Sequence, residues 1–223
     1  MKETIQEIRK KLRLAMNGVN SHSMRAKGID YRMNLGLSIP QLKKIASQYQ
    51  KSTVLAHLLW KENTRELKIL ATLLQPSEEF TEGDNWIKDI QNLELAEQAC
   101  MNLFCYIPQA PLYAWKWIQS DLEFEQVTGY LLFTRLFSVN NYQLPDSQKG
   151  DYYKNAFLAL EQKSLLIRNA ALVSLKKLGR QSISYSKEIL HHCSSLQQTS
   201  PHYDRQNLLD ELNFEFDYYY NQK

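Results

Sequence analysis

Glycine and proline are both scarce in this chain, seven and six among 223 residues. So few turn formers argue against a turn-rich all-β fold. Cysteine is scarcer still: Cys100, Cys105 and Cys193 are an odd number with no CxxC spacing. They read as reduced thiols of a cytosolic protein, neither disulfides nor metal ligands. No stretch approaches the roughly 18 apolar residues that a membrane span needs, so no membrane partner is expected. Nor does one sign of charge dominate, with 27 Lys and Arg against 24 Asp and Glu and a net charge of +3. Such a balance points to nucleic acid only if the cations cluster. The opening MKETIQEIRKKLRLAM mixes acids and bases without an apolar run. It does not read as a secretory signal, and a cytoplasmic location is expected.

Several chemistries lack their residue patterns too. There is no glycine elbow, phosphate loop or dinucleotide fingerprint, and no Ser-His-Asp or Cys-His arrangement. His191, His192 and Cys193 are consecutive, with His202 beyond a loop. Neighbours on a helix point about 100° apart, so the two histidines diverge and read as a polar helix end. Neither a metal nor a cofactor is expected. Cys100 and Cys105, within ACMNLFCYI, read as buried inert thiols.

What is present is apolar residues at helical spacing nearly everywhere. Ile5, Ile8, Leu12, Ala15 and Met16 share one face. Ser38, Ile39, Pro40 and Gln41 form a helix start, with Ser as cap, Pro just inside and Gln reaching back. Leu42, Ile45, Ala46 and Tyr49 give its stripe. Helices are expected over 53–60, then from a cap at Asn63 to a stop at Gln75-Pro76, and over 84–91, 93–106, 108–120, 124–137, 149–162, 164–178, 182–192 and 203–219. No stretch alternates as a strand does. Successive pairs begin roughly every 30–40 residues, the period of two-helix solenoid repeats. The pattern therefore predicts an all-α, HEAT/armadillo-like right-handed solenoid of antiparallel helix pairs, one domain over 1–223. An irregular all-α globule is the alternative. Trp115 and Trp117 sit about 200° apart on their helix, so one of them belongs to the core. The aromatic and acidic 214–220 reads as a capping helix or a tail docked on the last repeat, not as a nucleic-acid surface.

Two kinds of residue carry candidate chemistry. Cations recur on several helices: Lys43, Lys44, Arg65, Lys68, Arg135, Arg168, Lys176, Lys177 and Arg180. In a solenoid, like positions of successive pairs line up, and a stripe of Lys and Arg there would neutralise DNA phosphates. A solvated outer face explains each cation taken singly. The acids Glu94 and Glu97 open one helix, with Gln98 beside them. A carboxylate on the concave face stabilises a cationic transition state or acts as a base. A first-turn acid answering the helix dipole is the plainer explanation.

Several spaced features agree in order with a known family. They are Met24-Arg25-Ala26, then Leu35-Gly36-Leu37-Ser38-Ile39-Pro40, then Leu59-Trp60 with Arg65-Glu66. In these the chain resembles the DNA alkylation repair (AlkD-like) family, clearly over about the first 75 residues and more weakly beyond. The resemblance implies a HEAT-like superhelix whose basic concave face holds damaged double-stranded DNA, as a monomer. It implies excision of N3- or N7-alkylated purines without a metal, a carboxylate stabilising the oxocarbenium-like sugar. It places the family's Trp-x-x-x-Asp on Glu94 and Gln98, with Glu97 one residue from the acid's place. It sets Val127 and Val173 where the family has an arginine and a second groove tryptophan. Glu97 is then the first candidate acid and Glu94 the second. Arg25, Lys27, Lys43, Lys44, Arg135, Arg168, Lys176 and Arg180 are the candidate phosphate contacts. Two other functions remain open: a catalytically silent DNA-binding paralogue, and a scaffold whose groove takes a helix or peptide.

Overall fold

Helices account for most of the chain. The computed structural model describes residues 2–195 and 204–221, and among these there are thirteen α-helices and no strand. The nearest approach to a sheet is one isolated parallel bridge between Met33 and Thr64. The helices fall into two compact units, Met1–Pro108 and Gln109–Lys223.

The first unit holds α1 (Lys2–Leu14), α2 (Gly18–Ala26), α3 (Ile39–Ala46), α4 (Thr53–Trp60) and α5 (Arg65–Leu74). It continues with the single-turn α6 (Gly83–Trp86) and with α7 (Leu93–Asn102), each leading into a 3₁₀ turn. Asn17, Ser52 and Asn92 cap α2, α4 and α7 by accepting backbone N–H groups. At α3 the Ser38 N–H donates to Gln41 Oε1 at 2.8 Å, the reach-back half of a capping box. Ser52 N–H donates to Leu74 O at 2.9 Å, so α4 and α5 lie antiparallel as a hairpin. Arg65 meets Glu94 at one end and Thr72 meets Asn102 at the other, so α5 and α7 run parallel. Helix α5 is buried almost all round, its charged Arg65, Glu66 and Lys68 included. Trp60 stacks on Trp86, ring centroids 4.0 Å apart and 9° from parallel.

The second unit is three hairpins: α8 (Ala110–Ile118) with α9 (Glu123–Ser138), α10 (Asp146–Leu160) with α11 (Leu165–Gly179), and α12 (Ile183–Ser195) with α13 (Arg205–Asn221). Gln162 donates to Gln126 near the starts of α11 and α9, and Gln181 donates to Phe137 O near their ends. These two helices are therefore parallel. Lys176–Glu211 and Arg180–Glu215 pairs set α13 parallel to α11 in turn. Antiparallel pairs whose second helices run parallel are the layering of a HEAT repeat. Gly129 permits a close approach of α9 to the end of α8, since a Cβ there would lie 2.7 Å from the Ile118 backbone N. Trp117, Phe133, Phe137 and Tyr152 fill the core. Fully burying one such side chain is worth about 1.5–3 kcal/mol, so these ring contacts dominate cohesion here.

Three expectations need correction. Residues 18–26 are helical, although no amphipathic stripe announces α2: it buries none of its residues. The expected helix over 84–91 is one turn of α6 followed by a 3₁₀ turn. Thr64, not Asn63, stands at the N-cap of α5, and Asn63 Oδ1 instead accepts Arg32 N–H at 3.3 Å.

Candidate nucleic-acid interface

The residues that carry the family likeness converge on one buried cluster. Glu66, fully buried, accepts the consecutive N–H groups of Leu35, Gly36 and Leu37 at 3.0, 3.1 and 3.4 Å. Gly36 has φ +75, and a Cβ there would lie 2.1 Å from Asn17 O, so only glycine fits. Arg65 is buried beside it. Its Nη1 donates to Glu66 Oε1 and to Leu37 O, both at 2.8 Å. Its Nε and Nη2 grip both oxygens of Glu94 at 2.7 and 2.6 Å. The Leu-Gly-Leu turn and the Arg-Glu pair are thus one clamp that fastens α3, α5 and α7 together. Buried charges persist when paired and hydrogen-bonded like this.

Glu94 is therefore the outer jaw of that clamp. One turn further along α7, Glu97 is exposed and has no cation within ion-pair distance among the described residues. Partial desolvation, and then the negative charge of Glu94, raise its carboxyl above the ordinary value. Gln98 is buried and accepts from Asn102 Nδ2 at 3.3 Å, while the same amide donates to Thr72. Val127 is fully buried and Val173 is exposed.

The cations divide by partner. Arg65 and Lys68, expected on a surface stripe, are internal: Lys68 Nζ donates to Trp60 O at 2.9 Å and Asp89 at 3.1 Å, and lies 4.4 Å from the Trp60 ring centre. Arg25 donates to Tyr31 O at 3.2 Å and stays exposed, as do Lys27, Lys43 and Lys44. In the second unit Arg168 Nη1 donates to Gln162 O and Lys163 O at 2.8 and 3.0 Å, closing the end of α10. Lys176 pairs with Glu211 at 2.6 Å, and Arg180 pairs with Glu215 under the Tyr219 ring. Arg135 is half-buried, and its Nε has no hydrogen-bond partner among the described residues. Trp117 is the core indole, while Trp115 lines a polar cleft with Gln148 and Asp151. Rings of His191 and His192 are 6.4 Å apart and tilted by 67°. His202 lies outside the described residues.

One basic cluster has no counterpart among the residues expected from the sequence. Arg9, Arg13, Arg32 and Lys61, from three separate segments, line a cleft of about 500 Å³ in the first unit. Arg9 and Arg13 are one helical turn apart, a legible signal; the bridge that brings Arg32 and Lys61 to them is not.

The chain matches the model of a family described as DNA alkylation repair enzyme over residues 8–200. It belongs to that family. A solved structure from a family described as related to the HEAT-like repeat DNA glycosylases, with affinity for branched DNA structures, superposes with a TM-score of 0.77. That similarity covers 96% of this chain and 94% of the other at 14% identity, and so shows the shared HEAT-like fold alone. Among curated proteins, none matches. No helix among the described residues is long and apolar enough to cross a membrane.

Proposed function

We propose that this member of the DNA alkylation repair family binds DNA through backbone phosphates, favours branched over linear duplex, and is silent as a glycosylase. The observation that carries this reading is the state of α7. Glu94 is neutralised by two nitrogens of a buried arginine, and the position four residues on is a buried amide, Gln98. Neither offers a free anion to an oxocarbenium-like sugar. Exposed cations without an acid partner among the described residues, Lys27, Lys43 and Lys44, are suited to phosphate, and the solved relative's affinity for branched DNA supports the preference. Arg25, Arg135 and Arg168 serve as further contacts, and Lys176 and Arg180 do so once released from α13.

Glu97 favours a second reading. It is the acid on α7 that no cation neutralises, and an ionised carboxylate there would assist loss of an N3- or N7-alkylated purine, whose glycosidic bond is already weak. Binding of a four-way junction, a flapped duplex and a linear duplex, measured across salt, separates the cases, together with release of 3-methyladenine and 7-methylguanine. Salt-steep binding that favours the branched forms, without base release, is expected. Base release abolished by Glu97→Gln but kept in Glu94→Gln would replace this reading with the second. A flat salt response would point instead to a protein-binding scaffold.

A further inference from the structure

We infer that the cleft between α1 and the 61–64 turn is a separate site for an unpaired DNA nucleotide, its phosphate held at the rim and its base laid on the floor. The inference extends the DNA-binding reading to an unlike part of the ligand. Four cations, Arg9, Arg13, Arg32 and Lys61, face one carboxylate, Glu62. Arg9 donates to that carboxylate at 2.7 Å, while the side chains of Arg13, Arg32 and Lys61 have no acid partner among the described residues. Three unneutralised cations around one concavity repel one another, and an anion relieves that repulsion.

The cleft is also built rather than incidental. Met33 N–H donates to Asn63 O at 3.2 Å, Arg65 N–H donates to Met33 O at 3.1 Å, and Arg32 N–H donates to Asn63 Oδ1. These bonds lock the Arg32 segment to the Lys61 turn, and the Arg9–Glu62 pair ties α1 to the same turn. Beneath the cations the lining is apolar: Leu12, Met33, Leu35 and Leu67, with Met33 well exposed. A bare phosphate needs no such floor. A duplex hides its bases in the stack and offers an apolar surface nothing to meet. An unpaired nucleotide brings a phosphate and a free base face together, and arginine planes as well as apolar side chains stack on such faces. The volume, about 500 Å³, is within the range of small-molecule pockets.

The test follows the Met33 methyl by NMR, assigned with Met33→Leu, during titration with single-stranded tetrathymidylate. A saturable shift is expected. Arg13→Glu and Arg32→Glu should each weaken binding about tenfold or more, the scale of one charged hydrogen bond. Lys187→Glu, an exposed cation on α12, should leave it within about twofold on the same scale. Thymidine monophosphate alone should shift the same methyl with lower affinity, and inorganic phosphate should leave it in place. A motionless Met33 methyl, or equal affinity in the two arginine variants, overturns the site. An equal shift with inorganic phosphate overturns the nucleotide and leaves an anion hole. The readout is independent of junction binding: a chain that ignores branched DNA still passes or fails here, and failure here leaves the junction result standing.

Discussion

Both units set helices parallel to one another, α5 with α7 in the first and α9 with α11 in the second, and hold them together by different means. In the first unit a buried arginine joins α5 to α7, through Arg65 between Glu66 and Glu94, and Lys68 reaches out from α5 to Asp89 on the turn before α7. In the second, side-chain amides link α9 and α11 near both ends, rings pack α9 against α10, and the ion pairs lie at the surface between α11 and α13. The contrast decides which charges remain for a ligand. The first unit commits Glu66 and Glu94 to its clamp and leaves Arg13, Arg32 and Lys61 without an acid partner among the described residues. The second spends Lys176 and Arg180 on its last helix.

The largest effect expected from this contrast is at Arg65. Arg65→Leu removes the common partner of two carboxylates, one of them fully buried, and should cost about 3–5 kcal/mol in chemical denaturation. A loss below about 1 kcal/mol would mean that the clamp is incidental. The alkaline limb should be nearly as sensitive. Burial, chiefly, pushes the Tyr31 phenol up to about 12, although Asn92 donates to its oxygen. Its folded value exceeds the unfolded one, so its contribution is complete below pH 10 and is lost as pH rises toward 12. About 2–3 kcal/mol should disappear over that window, and Tyr31→Phe should flatten it. An unchanged alkaline slope in Tyr31→Phe would show that the phenol does not ionise against the fold. Gly129→Ala tests the second unit's close packing; pressing a methyl onto the Ile118 backbone should cost about 1–3 kcal/mol.

Legibility in the sequence followed the same divide. Helices with a cap, such as α4 and α11, could be placed to within a residue or two, because local chemistry sets their start. Helix α2 could not, since it buries no residue and so leaves no periodic trace. Arg65-Glu66 and Leu35-Gly36-Leu37 were recognisable as motifs, yet their meaning lies in a contact across about thirty residues that periodicity does not encode. The charges suffered most. A Lys or Arg reads alike in sequence whether it meets solvent, a helix end or a buried carboxylate, and Lys44, Arg168 and Arg65 end in these three places. Partner identity is a tertiary fact, and it alone separates a phosphate contact from a structural ion pair.

The smallest effect on stability is expected at the α11–α13 pairs, and it bears most directly on ligand binding. Glu211 and Glu215 sit over Lys176 and Arg180 on a partly exposed face, where such pairs contribute about 1 kcal/mol or less. Glu211→Gln with Glu215→Gln should therefore leave the melting midpoint nearly unchanged, while Leu212 and Phe216 keep α13 docked. The two cations are then unneutralised, as Arg13 and Arg32 already are in the first unit. If they face phosphate, junction affinity at low salt rises several-fold and the slope of log K against log salt steepens by roughly 0.9 for each further phosphate neutralised. An unchanged slope would remove Lys176 and Arg180 from the interface and leave phosphate binding to the cations that have no acid partner.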